Sequence, residues 1–254
     1  MVALFALTLT PGYQEAEMYA FENPADVSNS IIYFGLIIVF TAVVIVLSQK
    51  SELFLRIVMY SLVFISLYYV MLPFFGLFSA VFSLVMVILL AKKPNLFVIN
   101  ISAFLLSVGV TSIFGMSLEP FPLIVLLVIL AVYDFISVYK TKHMVDLANS
   151  ISEMKLPLLF ILPKKLKCMS KEDYSVMGVG DVVIPNMLVV SSQVFTKSSY
   201  CFLFLKTTAI MTLLGGLVSL LILLILVERK PGAYPGLPFV NFGAIAGYLI
   251  SQAI

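Results

Sequence analysis

Eleven of the thirteen acidic residues in this 254-residue chain fall in polar connections or at the edges of apolar runs; two do not. Asp134 stands inside "ILAVYDFISVYK", and Asp181 opens the apolar run of "MGVGDVVIPNMLVV". A carboxylate beside hydrocarbon is costly to keep and marks a functional position by default. Two carboxylates held close together in low-dielectric surroundings cannot both ionise, so they share a proton and one is a base while the other is an acid. That arrangement suits peptide hydrolysis: the ionised member takes a proton from the attacking water, and the protonated member polarises the carbonyl oxygen. The residue types do not assign the two parts, and a buried polar pair or a transporter's proton relay would use the same groups.

The elements that must position such a pair are membrane helices. The chain is 62% hydrophobic and 11% charged, with a mean hydropathy of +1.14, outside the balance of a soluble domain. A helix needs about 17–25 apolar residues to span the hydrocarbon. Such runs lie at Ile31–Leu47, at Ile57–Ala91 (two spans turning near Pro73), and at Leu96–Phe114, Phe121–Val138, Val182–Phe195, Thr207–Val227 and Pro235–Ile254. They make eight spans, and Met1–Thr10 reads as the end of a ninth whose upstream part is missing or truncated.

Loop charges orient the bundle. Thirteen of the fifteen Lys and Arg residues fall on one side: Lys50, Arg56, Lys92, Lys93, seven lysines from Lys140 to Lys171, Arg229 and Lys230. Only Lys197 and Lys206 fall on the other, with the acidic leader of Glu15, Glu17, Glu22 and Asp26. By the positive-inside rule the loop Tyr139–Gly178 is cytoplasmic and the C-terminus outside. Lys140 follows Asp134 by six residues, about 9 Å along a helix axis, so Asp134 lies in the cytoplasmic half. Asp181 opens the next, antiparallel span from the same side, and both carboxylates come to one leaflet.

Other chemistries lack their residues. His143 is the single histidine and sits among lysines in "YKTKHMVD", which rules out a His-Glu-x-x-His zinc pair and a buried histidine base for serine chemistry. Cys168 and Cys201 fall on opposite sides of the membrane, so neither a disulfide framework nor a Cys-based metal site is indicated. No basic run with interleaved aromatics suggests nucleic acid.

Local features bear on a peptide substrate. Gly178 and Gly180 of "GVGD" leave the backbone before Asp181 bare, so another chain can approach, and they permit dihedrals that other residues resist. Substrate must lie extended at the nucleophilic water, because a helix shields its carbonyls, and an added strand would follow. On its own "GVGD" also fits tight packing or a loop-to-helix turn. The segment "KLPLLFILPKK" is too short to span and reads as a surface-lying stretch or a strand docking at the mouth of the site. Pro185 frees backbone groups near Asp181 or simply kinks its helix. Gly243 and Gly247 have small-xxx-small spacing for helix packing, within the bundle or at a dimer interface. Tyr133 offers Asp134 a hydroxyl or faces a neighbouring helix.

Three pieces in order, "YD" at Tyr133–Asp134, "GVGD" at Gly178–Asp181 and "PGLP" at Pro235–Pro238, resemble the presenilin and signal peptide peptidase family of intramembrane aspartyl proteases, most of all its archaeal presenilin homologues. The resemblance implies an all-α, nine-span helical bundle forming a single membrane-embedded protease domain over residues 1–254. Within it, 31–138 would carry the N-terminal spans and first aspartate, 139–178 the cytoplasmic loop, and 179–254 the C-terminal spans. It implies a catalytic pair at Asp134 and Asp181, substrate contacts by Tyr133, Gly178, Gly180, Pro235, Leu237 and Pro238, and no metal or organic cofactor. The implied substrates are single-pass transmembrane proteins reached within the lipid, and "LPLLFILP" would be the strand that pairs with unwound substrate. The usual Pro-Ala-Leu-Pro motif has Gly236 in place of its alanine here, which makes the turn more flexible.

Rival readings have sequence consequences. An ion- or proton-coupled transporter predicts inverted repeats with matching interrupted helices, and the chain shows no internal repeat. A prepilin-type peptidase also uses a GxGD aspartate, but its family has fewer spans and no closing proline-leucine motif.

Overall fold

The computed structural model describes residues 1–50, 52–92, 95–137, 159–163, 174–202, 205–229 and 235–253. Nine helices are present among them: α1 (Val2–Glu15), α2 (Ser28–Lys50), α3 (Glu52–Phe75), α4 (Phe78–Lys92), α5 (Leu96–Ser117), α6 (Pro120–Ile136), α7 (Val179–Phe195), α8 (Thr207–Arg229) and α9 (Gly236–Ala253). Two short antiparallel hairpins complete the described chain, β1 (Leu159–Pro163) with β2 (Tyr174–Gly178), and β3 (Tyr200–Phe202) with β4 (Leu205–Lys206). Leu53–Phe75, Leu96–Ser117 and Thr207–Val227 are long and apolar enough to cross a membrane, and shorter apolar helices accompany them. Large apolar side chains such as Leu36, Val39, Leu217, Leu221 and Ile250 face outward, as lipid-facing residues do. His143 and Cys168 lie outside the described residues.

Two boundaries differ from the sequence reading. Pro73 lies inside α3, and the turn into α4 comes at Gly76, whose φ of +51° favours glycine. Pro73 has no N–H for the Tyr69 carbonyl and so weakens the last turn of α3, but the chain turns only at the positive-φ residue three positions on. The N-terminal helix runs past Thr10 to Glu15 with Pro11 inside it. Its Val2, Ala3, Ala6 and Leu7 pack with Val108 of α5 and with Val189 and Val190 of α7, and Tyr13 Oη donates to the Val70 carbonyl of α3 (2.7 Å).

Helical periodicity aims both aspartates inward. In α6, Leu123, Leu127 and Leu130 repeat at i, i+4 and i+7, and Asp134 continues that buried stripe one turn further on. In α7, Asp181 precedes Ile184 and Leu188 by three and seven residues, both of them buried. These stripes meet one core with Leu237 and Ala244 of α9. Asn241 of α9 donates through Nδ2 to the Leu127 carbonyl of α6 (2.9 Å), so the helix carrying "PGLP" is bonded to the helix carrying Asp134.

Glycines set the crossing of α8 and α9. A Cβ on Gly215 would strike the Gly243 carbonyl, and one on Gly247 would strike the Met211 carbonyl and stand 3.2 Å from Thr212 Cα. The small-xxx-small pair therefore packs within the bundle, backbone against backbone. Gly247→Val should cost at least about 2 kcal/mol, because the contacts are unyielding backbone. Thermal melting in detergent checks this against Gly35→Ala, where an added Cβ meets nothing within 4 Å and no loss is expected.

Outside the spans, Asp26 Oδ1 accepts the Ser28 amide (2.8 Å) just before α2. That bond holds the Asp26 carboxyl below the usual carboxylate range.

Candidate active site

Three helix ends converge on the two aspartates. Asp134 stands in the last turn of α6, Asp181 in the first turn of α7, and "PGLP" opens α9. The first amides of a helix have no intrahelical acceptor, and one of them is used here: Leu237 N donates to Asp134 Oδ2 at 3.3 Å. Asp181 lies against the preceding residue. A Cβ built on Gly236 would stand 2.9 Å from Asp181 Oδ2 and 3.0 Å from its Cγ. The two carboxylates thus meet adjacent residues of one helix start. The amino ends of α7 and α9 both bring positive dipole ends to this pair, which favours a negative charge held between them.

Glycines shape the seat of Asp181 by their bareness. A Cβ on Gly178 would approach Asp181 Oδ2 to 3.3 Å. Gly178 has φ −62° and ψ 139°, ordinary extended values, so its bareness gives the carboxylate space and does not serve unusual dihedrals. Gly180 is exposed, and a Cβ there would meet only Ile184 Cδ1 at 3.9 Å. Of the three glycines Gly236 has the closest contact, and the motif departure read from the sequence as flexibility leaves space for the Asp181 carboxylate.

The remaining sequence-predicted residues divide. Pro235 and Leu237 are buried and Pro238 half-buried at the start of α9. The Tyr133 ring is edge-on to Phe34 of α2, centroids 5.9 Å apart, so it faces a neighbouring helix as its 100° offset from Asp134 allows. Pro185 lies inside α7, where it has no N–H for the Asp181 carbonyl one turn back. Beside it, Asn186 Nδ2 takes the Val182 carbonyl (2.7 Å). A cavity of about 60 Å³ lies between α7, α8 and α9, lined by Asp181, Val182, Pro185, Asn186, Val240 and Ala244 among others. That volume admits water beside the carboxylate. No group of three or more metal-ligating side chains occurs among the described residues.

The hairpin β1–β2 leads straight into Asp181. Leu159 to Pro163 pair with Gly178 to Tyr174, and α7 begins at the next residue. The strand expected within "LPLLFILP" is therefore present, but its partner in the chain is "YSVMG", which sequence reading missed because the segment is short and follows the polar loop. Two buried or half-buried amides, Asn100 and Asn241, also escaped a search based on charge. Their signal was a hydrogen-bonding side chain inside an apolar span.

Fold and site together define a polytopic helical membrane protein with a carboxylate pair at a junction of helix ends. The family model described as signal-peptide peptidase, presenilin aspartyl protease matches residues 1–254. The chain is similar to two solved structures of a presenilin family intramembrane aspartate protease. To the one in space group C222 it is 32% identical with a TM-score of 0.72, and to the one in space group P2, 34% identical with a TM-score of 0.74. Each match covers 99% of this chain and 93% of the other. No curated protein matches. The chain belongs to the signal-peptide peptidase and presenilin family of aspartyl proteases, and it is an intramembrane aspartyl protease; the transporter reading has no support.

Proposed function

We propose that Asp134 and Asp181 are the catalytic pair, and that they hydrolyse peptide bonds within transmembrane segments of single-pass proteins. The observation that carries this reading is the meeting of both carboxylates at Gly236 and Leu237. One shared proton leaves one carboxylate to take the proton of the attacking water, while the other protonates the carbonyl oxygen. The Leu237 amide orients Asp134 by its hydrogen bond to Oδ2, and the cavity beside Asp181 supplies room for the nucleophile. Gly178, Gly180, Pro235, Leu237 and Pro238 line the approach to the pair; Tyr133 acts through its packing on α2. Substrate helices must unwind before their carbonyls are accessible, so segments with Gly or other weak helix formers near the cut are preferred.

The single protease domain spans 1–254, with the loop 139–178 cytoplasmic and the C-terminus outside. The 13-to-2 split of basic residues supports that sidedness. In single-cysteine variants of whole cells, an impermeant maleimide should label Cys201 directly and Cys168 only after permeabilisation. The opposite pattern would invert the topology.

The function itself is tested with a single-pass reporter in lipid vesicles. Purified protein should release a product cut within the reporter's transmembrane segment, as read by mass. An uncut reporter, with ion flux across the vesicles instead, would overturn the proposal.

A further inference from the structure

Asn100 of α5 clamps one residue of β1 from both sides of its peptide. Its Nδ2 donates to the Ile161 carbonyl (2.8 Å), and its Oδ1 accepts the Ile161 amide (2.9 Å). In an antiparallel pair the N–H and C=O of one residue point to the same side. Since both groups of Ile161 are bonded to Asn100, they point away from β2, and Ile161 and Val176 form a non-hydrogen-bonded pair in the register. The alternation then sends the backbone groups of Leu159, Ile161 and Pro163 to the outer edge of β1. Likewise those of Tyr174, Val176 and Gly178 go to the outer edge of β2.

The two edges are not equivalent. On β1, Ile161 is taken by the Asn100 amide and Pro163 has no N–H to offer, so the edge is blunted. The same strand is held down by its side chains, Phe160 against the core of α1, α5 and α7, and Ile161 against that of α3, α4 and α5. On β2, Tyr174 and Val176 each keep an outward N–H and C=O among the described residues, whereas the Gly178 carbonyl belongs to the start of α7, and that edge runs within five residues into Asp181.

We propose that Asn100 is a positioning residue for substrate: by closing the outer edge of β1 and fixing the hairpin on α5, it leaves β2 as the edge on which an unwound substrate strand adds. The inference rests on the proteolytic reading of the Asp134 and Asp181 pair and adds to it the element that sets which peptide bond reaches them. An added strand gains affinity from main-chain hydrogen bonds, and a slip of the hairpin changes which carbonyl arrives at the carboxylates. The added strand thereby moves from β1, where the resemblance implied it, to β2 beside it.

The test uses the purified full chain in lipid vesicles with a single-pass reporter, measuring kcat, KM and product masses. Asn100→Leu, similar in volume and without either bond, should raise KM about tenfold, as two net hydrogen bonds imply. It should also spread the cut over neighbouring peptide bonds while kcat stays within about threefold. Asn100→Asp keeps the acceptor for the Ile161 amide and loses the donor, so its KM should fall between. Val176→Pro leaves Asn100 in place and removes one outward N–H of β2, which an edge position tolerates; it should raise KM as Asn100→Leu does.

A purely structural Asn100 would lower the melting temperature with KM and cut position unchanged, and that result overturns the proposal. Wild-type KM for Val176→Pro overturns it equally, and this variant decides the matter where Asn100→Leu does not fold. Failure of the wild type to cut the reporter instead refutes the proteolytic reading, so the two failures are distinguishable.

Discussion

Asp134→Asn and Asp181→Asn should each lower the rate of reporter cleavage by at least about 10³-fold, and the double variant should be little worse than either single one. Both expectations come from the shared proton. An amide cannot take a proton from water or give one to a carbonyl oxygen, and groups that act as a unit lose their effect together. Asparagine keeps the size of aspartate and can still meet the Leu237 amide and the Gly236 backbone, so folding should be retained. Retention is checked by melting temperature in the same detergent. A single variant that keeps a tenth or more of the wild-type rate would mean that one carboxylate suffices.

The second large effect is expected at a position with no side chain. Gly236→Val places branched carbons where a single Cβ already falls 2.9 Å from Asp181 Oδ2. The carboxylate must move away from the helix start, and displacement of a catalytic group by about 1 Å costs on the order of 10²-fold in rate. Gly236→Ala asks only for a shift of a few tenths of an ångström, and its loss should be smaller. Measured kcat for the pair should therefore rank Gly, Ala, Val in descending order while the melting temperature changes little, since the groups nearest that Cβ are atoms of the Asp181 carboxylate. A valine variant as fast as the wild type would remove Gly236 from the seat of Asp181.

The alanine usual at this place in the family's motif would bring its methyl group onto that carboxylate. In this chain the glycine therefore has a geometric consequence, which flexibility alone does not describe.

Much of the site is legible in the sequence because its signals are local and costly. Two carboxylates in apolar runs are expensive enough to be conspicuous, and helical periodicity then turns Asp134 and Asp181 inward with the leucine and isoleucine stripes they continue. The "PGLP" turn can be placed beside them because it opens a span from the same side. What escapes sequence reading has no local cost. The Asn100 clamp joins residues 61 positions apart, and an asparagine in an apolar helix does not announce its partner. The strand "YSVMG" is too short to show alternation against the polar loop before it. Gly178 reads from the sequence as a point of access, but the reason for glycine there is the 3.3 Å approach of the Asp181 carboxylate, which only packing reveals. The break between α3 and α4 falls at Gly76 instead of Pro73 for a backbone reason, a positive φ that a sequence does not display.

The most direct measurement is the initial rate of reporter cleavage against pH for the purified protein in lipid vesicles, with products identified by mass. A pair that must hold one proton is inactive when both carboxylates are protonated at low pH and inactive again when both are ionised at high pH. A bell-shaped profile is therefore expected, with a cut inside the transmembrane segment that vanishes in Asp134→Asn and in Asp181→Asn. A rate that rises to a plateau with no alkaline fall, or the same product from either asparagine variant at the wild-type rate, would contradict a proton shared between Asp134 and Asp181.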